Sequence, residues 1–259
     1  MMMDEDFNKL PSGLGEFFRS LGVRSIDSTF DQLRDLANRQ LSLGSSGHYE
    51  SHAPKRWEDS LIEGLVKTGD RVLDLGCGDG ELLVRLVYRC GAEVQGIETN
   101  EDLVIRCIER GVPVCHDDLE QMLSILPDRS FDIAVMENTL QTLVHPLDAL
   151  RGMLRVARIG VVSFPNFAHW SVRLTFGLGG RMPVTSSLPY TWYDTPNIHL
   201  CSINDFTDWV VADDVEVLES WVLVEGKVEK FNGDDHNKTA EQAMFVIKGK
   251  DSMPAGEDR

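Results

Sequence analysis

The stretch "VLDLGCGDGEL", residues 72–82, decides the fold of this chain. A short apolar run ends in glycines at positions 76, 78 and 80, and a helical pattern of apolar residues follows. This order predicts a strand, a tight turn and a helix. Glycine lets the backbone approach a ligand closely, and a helix N-terminus offers unpaired N–H groups. We therefore expect a ligand-binding turn here.

The spacing of the glycines distinguishes between classes of ligand. A dinucleotide fingerprint, GxGxxG, would place a glycine at position 81, where this chain has Glu81. The lysine of a phosphate-binding P-loop is also missing. Asp74 lies two residues before the first glycine, where a carboxylate would repel a pyrophosphate and attract a cationic ligand.

Four further strand signals follow at regular intervals. They are "AEVQGIE" (92–98), "VPVCHDD" (112–118), "FDIAVMEN" (131–138) and "IGVVSFPN" (159–166). Helical stretches separate them; one is capped by Asn100 and stopped by Gly111. Five strands that alternate with helices predict a parallel sheet that is covered on both faces.

The C-terminal part of the chain has a different pattern. "VEVLESWVLVEG" (215–226) and "QAMFVIKG" (242–249) are strand-like, and the polar "FNGDDHNKT" (231–239) between them is interpreted as a loop. We expect the two strands to pair as an antiparallel hairpin at the sheet edge. The fold prediction is therefore a doubly wound α/β fold with a mostly parallel, seven-stranded sheet. Before this hairpin, "INDFTDWVV" (203–211) predicts a helix that buries Phe206 and Trp209 and begins near Ser202 or Asn204.

Composition breaks mark the domain boundaries. A run rich in serine and glycine, followed by Pro54, separates a partly helical N-terminal extension, residues 1–52, from the domain at 53–250. Residues 251–259 are interpreted as a frayed tail.

Bulk properties exclude several classes of function. The net charge of −17 over 259 residues opposes nonspecific nucleic-acid binding, so small molecules or proteins are the expected partners. The five widely spaced cysteines indicate reduced thiols. The acidic N-terminus and the absence of an apolar run of ~20 residues predict a cytoplasmic protein outside the membrane.

Acidic residues stand at three successive strand ends: Asp74, Glu98 and Asp118. Ligands of open parallel sheets bind beyond these ends, and carboxylates can accept hydrogen bonds from them. Alternatively, the same acids cap helices and turns.

Other candidate site residues give weaker signals. His48 and His52 could bind a metal only as a helical pair, and the surrounding glycine, serines and Pro54 oppose a helix, so no metal is predicted. Cys77, inside the glycine turn, is interpreted as a small residue that fits there and not as a nucleophile.

"DLGCGDG" (74–80) resembles the first motif of class I S-adenosylmethionine (SAM) dependent methyltransferases. The resemblance implies a Rossmann-like methyltransferase fold that binds SAM or S-adenosylhomocysteine. It also implies that the glycine turn holds the methionine moiety, that Glu98 binds the ribose, and that Asp118 accepts from the adenine amino group. Leu119 would lie beside the adenine ring.

A longer resemblance runs from about Val72 to Trp209. "SFPNFAHW", "LGGRMPVT" and "LPYTWYDTPNIHLC" are similar to segments of the MetW family of methionine-biosynthesis proteins. The resemblance implies a SAM-binding partner of a MetX-type homoserine O-acyltransferase. "MENTLQ" departs from it, with Glu137 and Asn138 where the family pattern has serine and glutamine.

Two questions stay open at the level of sequence. The first is whether the chain is instead an active methyltransferase for a small molecule, in which case a base would come from His169, His199, Asp194 or Glu137. The second concerns the aromatic loop that follows the fifth strand, which covers the pocket, contacts the partner or is simply packed against the core. Its candidate residues are Arg181, Tyr190, Trp192, Tyr193, Asp194 and His199.

Overall fold

The computed structural model describes residues 56–249, except for the side chain of Asp234. The chain divides into two compact units. The described part of the larger is residues 56–170 and 193–249, and the described part of the smaller is residues 171–192. The predicted N-terminal extension, the frayed tail, His48 and His52 lie outside the described residues.

An eight-stranded sheet forms the centre of the larger unit, in the order β3-β2-β1-β4-β5-β8-β6-β7. The first five strands are mutually parallel, and β8, β6 and β7 are antiparallel additions. The predicted doubly wound fold is therefore confirmed, with eight strands in place of the expected seven. The strands are β1 (Arg71–Leu75), β2 (Glu93–Glu98), β3 (Val114–His116), β4 (Phe131–Glu137), β5 (Ala157–Pro165), β6 (Val215–Val224), β7 (Lys227–Lys230) and β8 (Gln242–Gly249).

Helices connect the strands. They are α1 (Asp59–Leu65), α2 (Glu81–Arg85), α3 (Glu101–Glu109), α4 (Leu119–Ile125), α5 (Pro146–Val156), α6 (Trp170–Gly179), α7 (Ile203–Ala212) and α8 (Asp234–Thr239). A π-helical turn, Leu86–Cys90, extends α2, and a 3₁₀ turn, Leu140–Thr142, follows β4. Among the described helices, none combines the length and apolar character needed to cross a bilayer.

The central strands β1, β4 and β5 are buried on both faces, because successive strand residues point to opposite sides and each side packs in a core. Along β1, Leu73 and Leu75 pack in a core with α4, α5 and α7, whereas Val72 packs in a second core with α1, α2 and α3. This two-sided burial explains why the parallel strands read as continuous apolar runs.

The C-terminal part differs in detail from the prediction. β6 and β8 pair antiparallel as expected, but β7 forms the tight hairpin with β6, and the predicted loop contains α8. That interpretation was wrong because tertiary contacts stabilise this polar segment. The buried side-chain amide of Asn166 donates to the carbonyls of Asn237 and Ala240, at 3.0 and 2.8 Å.

Two predicted helix starts are confirmed by their caps. The side chain of Asn100 accepts from the backbone N–H of Leu103 at the start of α3. Ser202 begins α7 with a capping box that involves Asp205, in which each side chain accepts from the other residue's backbone N–H.

Candidate functional site

A cleft of about 270 Å³ lies beyond the carboxyl ends of β1 to β4, where the sheet order reverses between β1 and β4. Open α/β sheets bind their ligands at this position. Four of the predicted cofactor residues line it: Gly76, Glu98, Asp118 and Leu119. The structure thus brings together residues from three strand ends.

The glycine turn needs glycine both for its backbone conformation and for space. Gly76, Gly78 and Gly80 have φ angles of 84°, 59° and 75°, in the left-handed region. A Cβ atom at Gly76 would lie 2.6 Å from Oγ1 of Thr139, which follows β4. The turn after β1 and the segment after β4 therefore approach each other too closely for a side chain at position 76.

Glu98 links the end of β2 to the glycine turn. Its Oε2 accepts from the N–H of Gly78, and its Oε1 accepts from the N–H groups of Thr99 and Asn100, each at 2.9 Å. A carboxylate has about four lone-pair positions. Three are occupied, so the side chain is held in place and retains the capacity for about one further hydrogen bond.

Asp118 caps α4. Its Oδ1 accepts from the N–H groups of Glu120 and Gln121, at 2.9 and 3.0 Å. Asp118 is therefore a helix cap, as the alternative interpretation predicted, but only through Oδ1. Its second oxygen, Oδ2, takes no part in the cap. Leu119, buried beside it, forms an apolar part of the cleft.

Asp74 does not line this cleft. It lies in a neighbouring pocket of about 40 Å³, which Arg56 and Glu137 also line. Glu137 Oε2 accepts from the Arg56 guanidinium at 2.9 Å. Burial, and after it the charge of Glu137, raises the pKa of Asp74 to about 8. Burial also raises the pKa of Glu137, although Arg56 opposes this shift.

Three polar residues after β4 also line the cleft: Asn138, Thr139 and Thr142. The sequence had singled out Asn138 only as a departure from the MetW pattern, and it had not singled out the two threonines. Asn138 has a φ of 51°, and its N–H donates to the carbonyl of Ser163. A left-handed asparagine directly after a strand often lies at a functional site. The position of "ENT" (137–139) at the end of the fourth strand was the feature of the sequence that could have identified these residues.

The candidate bases of the methyltransferase alternative are dispersed. Glu137 is paired with Arg56, and His199 lines a separate apolar groove of about 220 Å³. Asp194 is exposed, and His169 is half-buried, with its pKa lowered by burial. None of the four is among the described residues that line the cleft.

The aromatic loop is largely exposed. In the smaller unit, Arg181, Tyr190 and Trp192 are exposed, Trp192 at 74%. In the larger unit, Tyr193 is 68% exposed. The N–H of His199 donates to the carbonyl of Gln141 at 3.0 Å, which fixes this end of the loop to the 3₁₀ turn after β4.

Cys77 is buried and packs against β2. A Cβ atom at Gly96 would lie 2.5 Å from its sulfur, so the thiol fills the space that this glycine leaves. Burial raises the pKa of the thiol far above its ordinary value, which disfavours the thiolate needed for nucleophilic attack. This environment agrees with the interpretation that Cys77 is a residue selected for its size.

The architecture belongs to the Rossmann-like methyltransferase folds. A solved SAM-dependent methyltransferase from Thermotoga maritima, described as a possible histamine N-methyltransferase, matches with a TM-score of 0.54 and 16% identity. The match covers 86% of this chain and 96% of that one, and identity at this level shows the fold alone.

Sequence comparison identifies the family. The family model for "Methionine biosynthesis protein MetW" matches residues 56–247, and the chain belongs to the MetW family. The bifunctional methionine biosynthesis protein MetXA/MetW of Rhodopirellula baltica is 32% identical over 73% of this chain. The ubiquinone/menaquinone biosynthesis C-methyltransferase UbiE of Xylella fastidiosa is 32% identical over 53% of it. The aligned regions span 32% and 55% of these two relatives' own lengths.

Proposed function

We propose that this MetW-family protein binds SAM or S-adenosylhomocysteine and acts as the accessory subunit of a MetX-type homoserine O-acyltransferase. The observation that carries the proposal is the relative whose name joins MetXA and MetW in one bifunctional chain. In that relative, the MetXA and MetW parts stay close together because they belong to one chain. Two separate chains can reach the same proximity by binding to each other. The proposed ligand-binding domain comprises residues 53–250.

The cleft supports the ligand part of the proposal. A nucleoside presents a cis-diol, an amino group and a flat apolar ring. Glu98 retains hydrogen-bonding capacity for the diol, Asp118 has a second carboxylate oxygen for the amino group, and Leu119 offers an apolar surface for the ring. Gly76, Gly78 and Gly80 would hold the amino-acid end of the ligand.

A sensing role follows from the chemistry of the ligand. SAM is made from methionine, so it reports the level of the end product to an enzyme early in that synthesis. A ligand shifts a partner only through its differential affinity for two states. We therefore expect SAM and the acyltransferase to change each other's affinity for this protein by the same factor.

The exposed aromatic loop supports the partner part of the proposal. Trp192 and Tyr193 are residue types that are enriched at interface hot spots. Neighbouring prolines, Pro189 and Pro196, limit the conformational entropy that the loop loses on association. Arg181, Tyr190, Asp194 and His199 complete the proposed contact set.

A second candidate function is methyl transfer to a small molecule. The observation in its favour is that the segment after β4 borders both the apolar groove and the cleft. Leu140, Gln141 and Leu147 of this segment line the groove, and Leu143 lines the cleft. His199 lies at this groove and could accept a proton from an acceptor molecule.

One experiment separates the two functions. The protein is incubated with methyl-labelled SAM and a metabolite extract, and in parallel it is passed over its tagged acyltransferase with and without SAM. We expect retention on the acyltransferase, with an affinity that depends on SAM, and no repeated transfer of label. Multiple turnovers without retention would replace the proposal with the methyltransferase function.

A further inference from the structure

The apolar groove of about 220 Å³ lies between α5 and α7, which pack on the face of the sheet opposite to α1, α2 and α3. Its lining includes Leu150 of α5 and Phe206 and Trp209 of α7, which belong to the core on that face. Arg151 of α5 pairs with Asp213, just after α7, and so links the two helices. The groove is therefore a part of the core that reaches the surface.

Exposed apolar side chains border the groove. Leu147 and Leu200 line it and are 44% and 61% exposed, and Ile198, two residues before Leu200, is also exposed. Contiguous exposed apolar groups of this kind mark interaction sites. We call the groove, together with Leu147, Ile198 and Leu200, the groove face.

The size of the groove favours a protein side chain as its occupant. Pockets that enclose drug-sized molecules have volumes of about 300–1,000 Å³. This groove is smaller, and its exposed border leaves it open to solvent. A single large apolar side chain from a partner would fill it, as the anchor residues of protein interfaces fill pockets on the facing surface.

The charge beside the groove indicates the chemistry of that partner. Asp205 lines the groove, and Asp208 lies one turn further along the same side of α7. Both are exposed, and in the described part of the chain neither forms an ion pair. The nearby cation, Arg151, is already shared by Asp148 and Asp213. Lysine or arginine beside the apolar anchor would complement this rim.

Hydrogen bonds connect the groove face to the nucleoside cleft. The side-chain amide of the buried Gln141 donates to the carbonyl of Asn138 at 2.7 Å, and Asn138 lines the cleft. The carbonyl of Gln141 accepts from the N–H groups of Ile198 and His199, at 2.9 and 3.0 Å. Gln141 and His199 both line the groove. A partner on this face would therefore contact residues that are bonded to the rim of the ligand site.

We infer that the groove face is the surface on which the acyltransferase docks. One large apolar side chain of the partner enters the groove, and basic residues beside it face Asp205 and Asp208. This inference rests on the proposed function and extends its contact set from the aromatic loop to α5 and α7. His199 belongs to both surfaces, because it is a member of the proposed contact set and lines the groove.

Charge substitutions at the groove test this inference. The affinity of the purified protein for its tagged MetX-type acyltransferase is measured by biolayer interferometry. Leu147→Asp and Leu200→Asp should each weaken binding by about tenfold or more, because a carboxylate would be desolvated at the anchor site. Both positions are exposed, and Leu147 lies in the first turn of α5, where an acid suits the helix dipole.

The matched control is Ile105→Asp on α3, at the opposite face of the sheet. Ile105 is 48% exposed, close to the value for Leu147, so the change places the same charge at a similar depth. Its affinity for the acyltransferase should equal that of the wild type. Melting curves establish that each variant is folded.

The dependence of binding on salt tests the charged rim. Asp208→Asn should slow association and make the affinity less sensitive to salt, since exposed charges act mainly on the rate of encounter. Glu109→Gln, at the exposed end of α3, is the control and should change neither quantity. An unchanged salt dependence in Asp208→Asn would contradict a basic partner at this rim.

The outcomes separate this inference from the proposed function. If Trp192→Ala loses the acyltransferase while both groove variants bind it like wild type, the inference is overturned and the proposed function stands. The same conclusion follows if sedimentation shows that the groove variants abolish self-association and leave acyltransferase binding intact, because a second copy would then occupy the groove. If the wild-type protein does not bind the acyltransferase with or without SAM, the proposed function and this inference both fail.

Discussion

The N–H of Gly78 donates to Oε2 of Glu98 at 2.9 Å, which joins the turn after β1 to the end of β2. The two elements proposed to hold opposite parts of the ligand are therefore one hydrogen-bonded unit. A change in Glu98 alters the support of the turn as well as any contact to a ribose.

Replacement of Glu98 by alanine should weaken binding of S-adenosylhomocysteine by ~1.5–3 kcal/mol, because a charge-assisted acceptor is lost. The melting temperature should also fall, since three backbone N–H groups lose their acceptor. Calorimetry and thermal denaturation measure the two effects. Glu93→Ala, at the other end of the same strand, controls for the loss of an acid, and equal affinities of wild type and Glu98→Ala would remove the ribose assignment.

A pair of glycine variants separates backbone strain from steric conflict. Gly76→Ala and Gly111→Ala both place a side chain at positive φ, which costs about 1–2 kcal/mol. Only Gly76→Ala also meets Thr139, because Gly111 has open space around its Cβ position. We expect a larger loss of unfolding free energy for Gly76→Ala, measured by urea denaturation.

The double variant Gly76→Ala/Thr139→Ala should recover the additional loss, since it removes the two nearest atoms of Thr139. Equal destabilisation by the two single glycine variants would contradict the close approach between the turn and the segment after β4.

The stability of the protein should fall as pH rises from about 5 to about 8. A carboxyl whose pKa is raised in the fold binds more protons folded than unfolded, so its stabilising contribution is present at low pH. That contribution is lost as pH passes through the folded pKa, which is about 8 for Asp74. Asp74→Asn should flatten this decline and gain roughly 1–3 kcal/mol over wild type between these limits.

Denaturation in urea at a series of pH values measures the slope. Asp213→Asn is the control, because a hydrogen bond from Arg151 lowers the pKa of this half-buried acid and its titration lies below this range. A wild-type stability that rises between pH 5 and pH 8 and is unaffected by Asp74→Asn would contradict the assignment.

Trp192→Ala should weaken association with the acyltransferase by ~2 kcal/mol or more, as truncation of an aromatic hot spot does. The melting temperature of the isolated protein should change little, because the side chain is 74% exposed. Tyr88→Ala removes another aromatic group, which is 83% exposed on the turn after α2, and should leave association unchanged. Equal retention of partner by all three proteins would argue against an interface at the loop.

Much of the fold was predictable because burial on both faces leaves a strong pattern. Strands β1, β4 and β5 are mainly apolar, buried runs, and Asn100 and Ser202, which cap α3 and α7, are typical N-cap residues. β7 was missed because "KVEK" is exposed and mostly charged, so it has no apolar signal. α8 was missed because its stability depends on Asn166, which is distant in sequence.

The sequence predicted where on the sheet the site lies, but it did not predict how the residues of the site divide between the cleft and the neighbouring pocket. Strand-end acids and the glycine turn indicate one edge of the sheet, and Gly76, Glu98 and Asp118 do meet there. The separation of Asp74 into its own pocket depends on Glu137 and on Arg56, which is 81 residues away from Glu137. Such pairings arise only when the chain is folded.

The position of β8 has a consequence for synthesis on the ribosome. β6 and β7 emerge first, yet β6 bonds only to β7 and β8 within the described sheet, so this hairpin cannot join β5 until β8 has been translated. Until then the apolar edge of β5 stays open, and open edges invite pairing with other chains. Translation speed over the last strand therefore sets how long the nascent chain is exposed to aggregation.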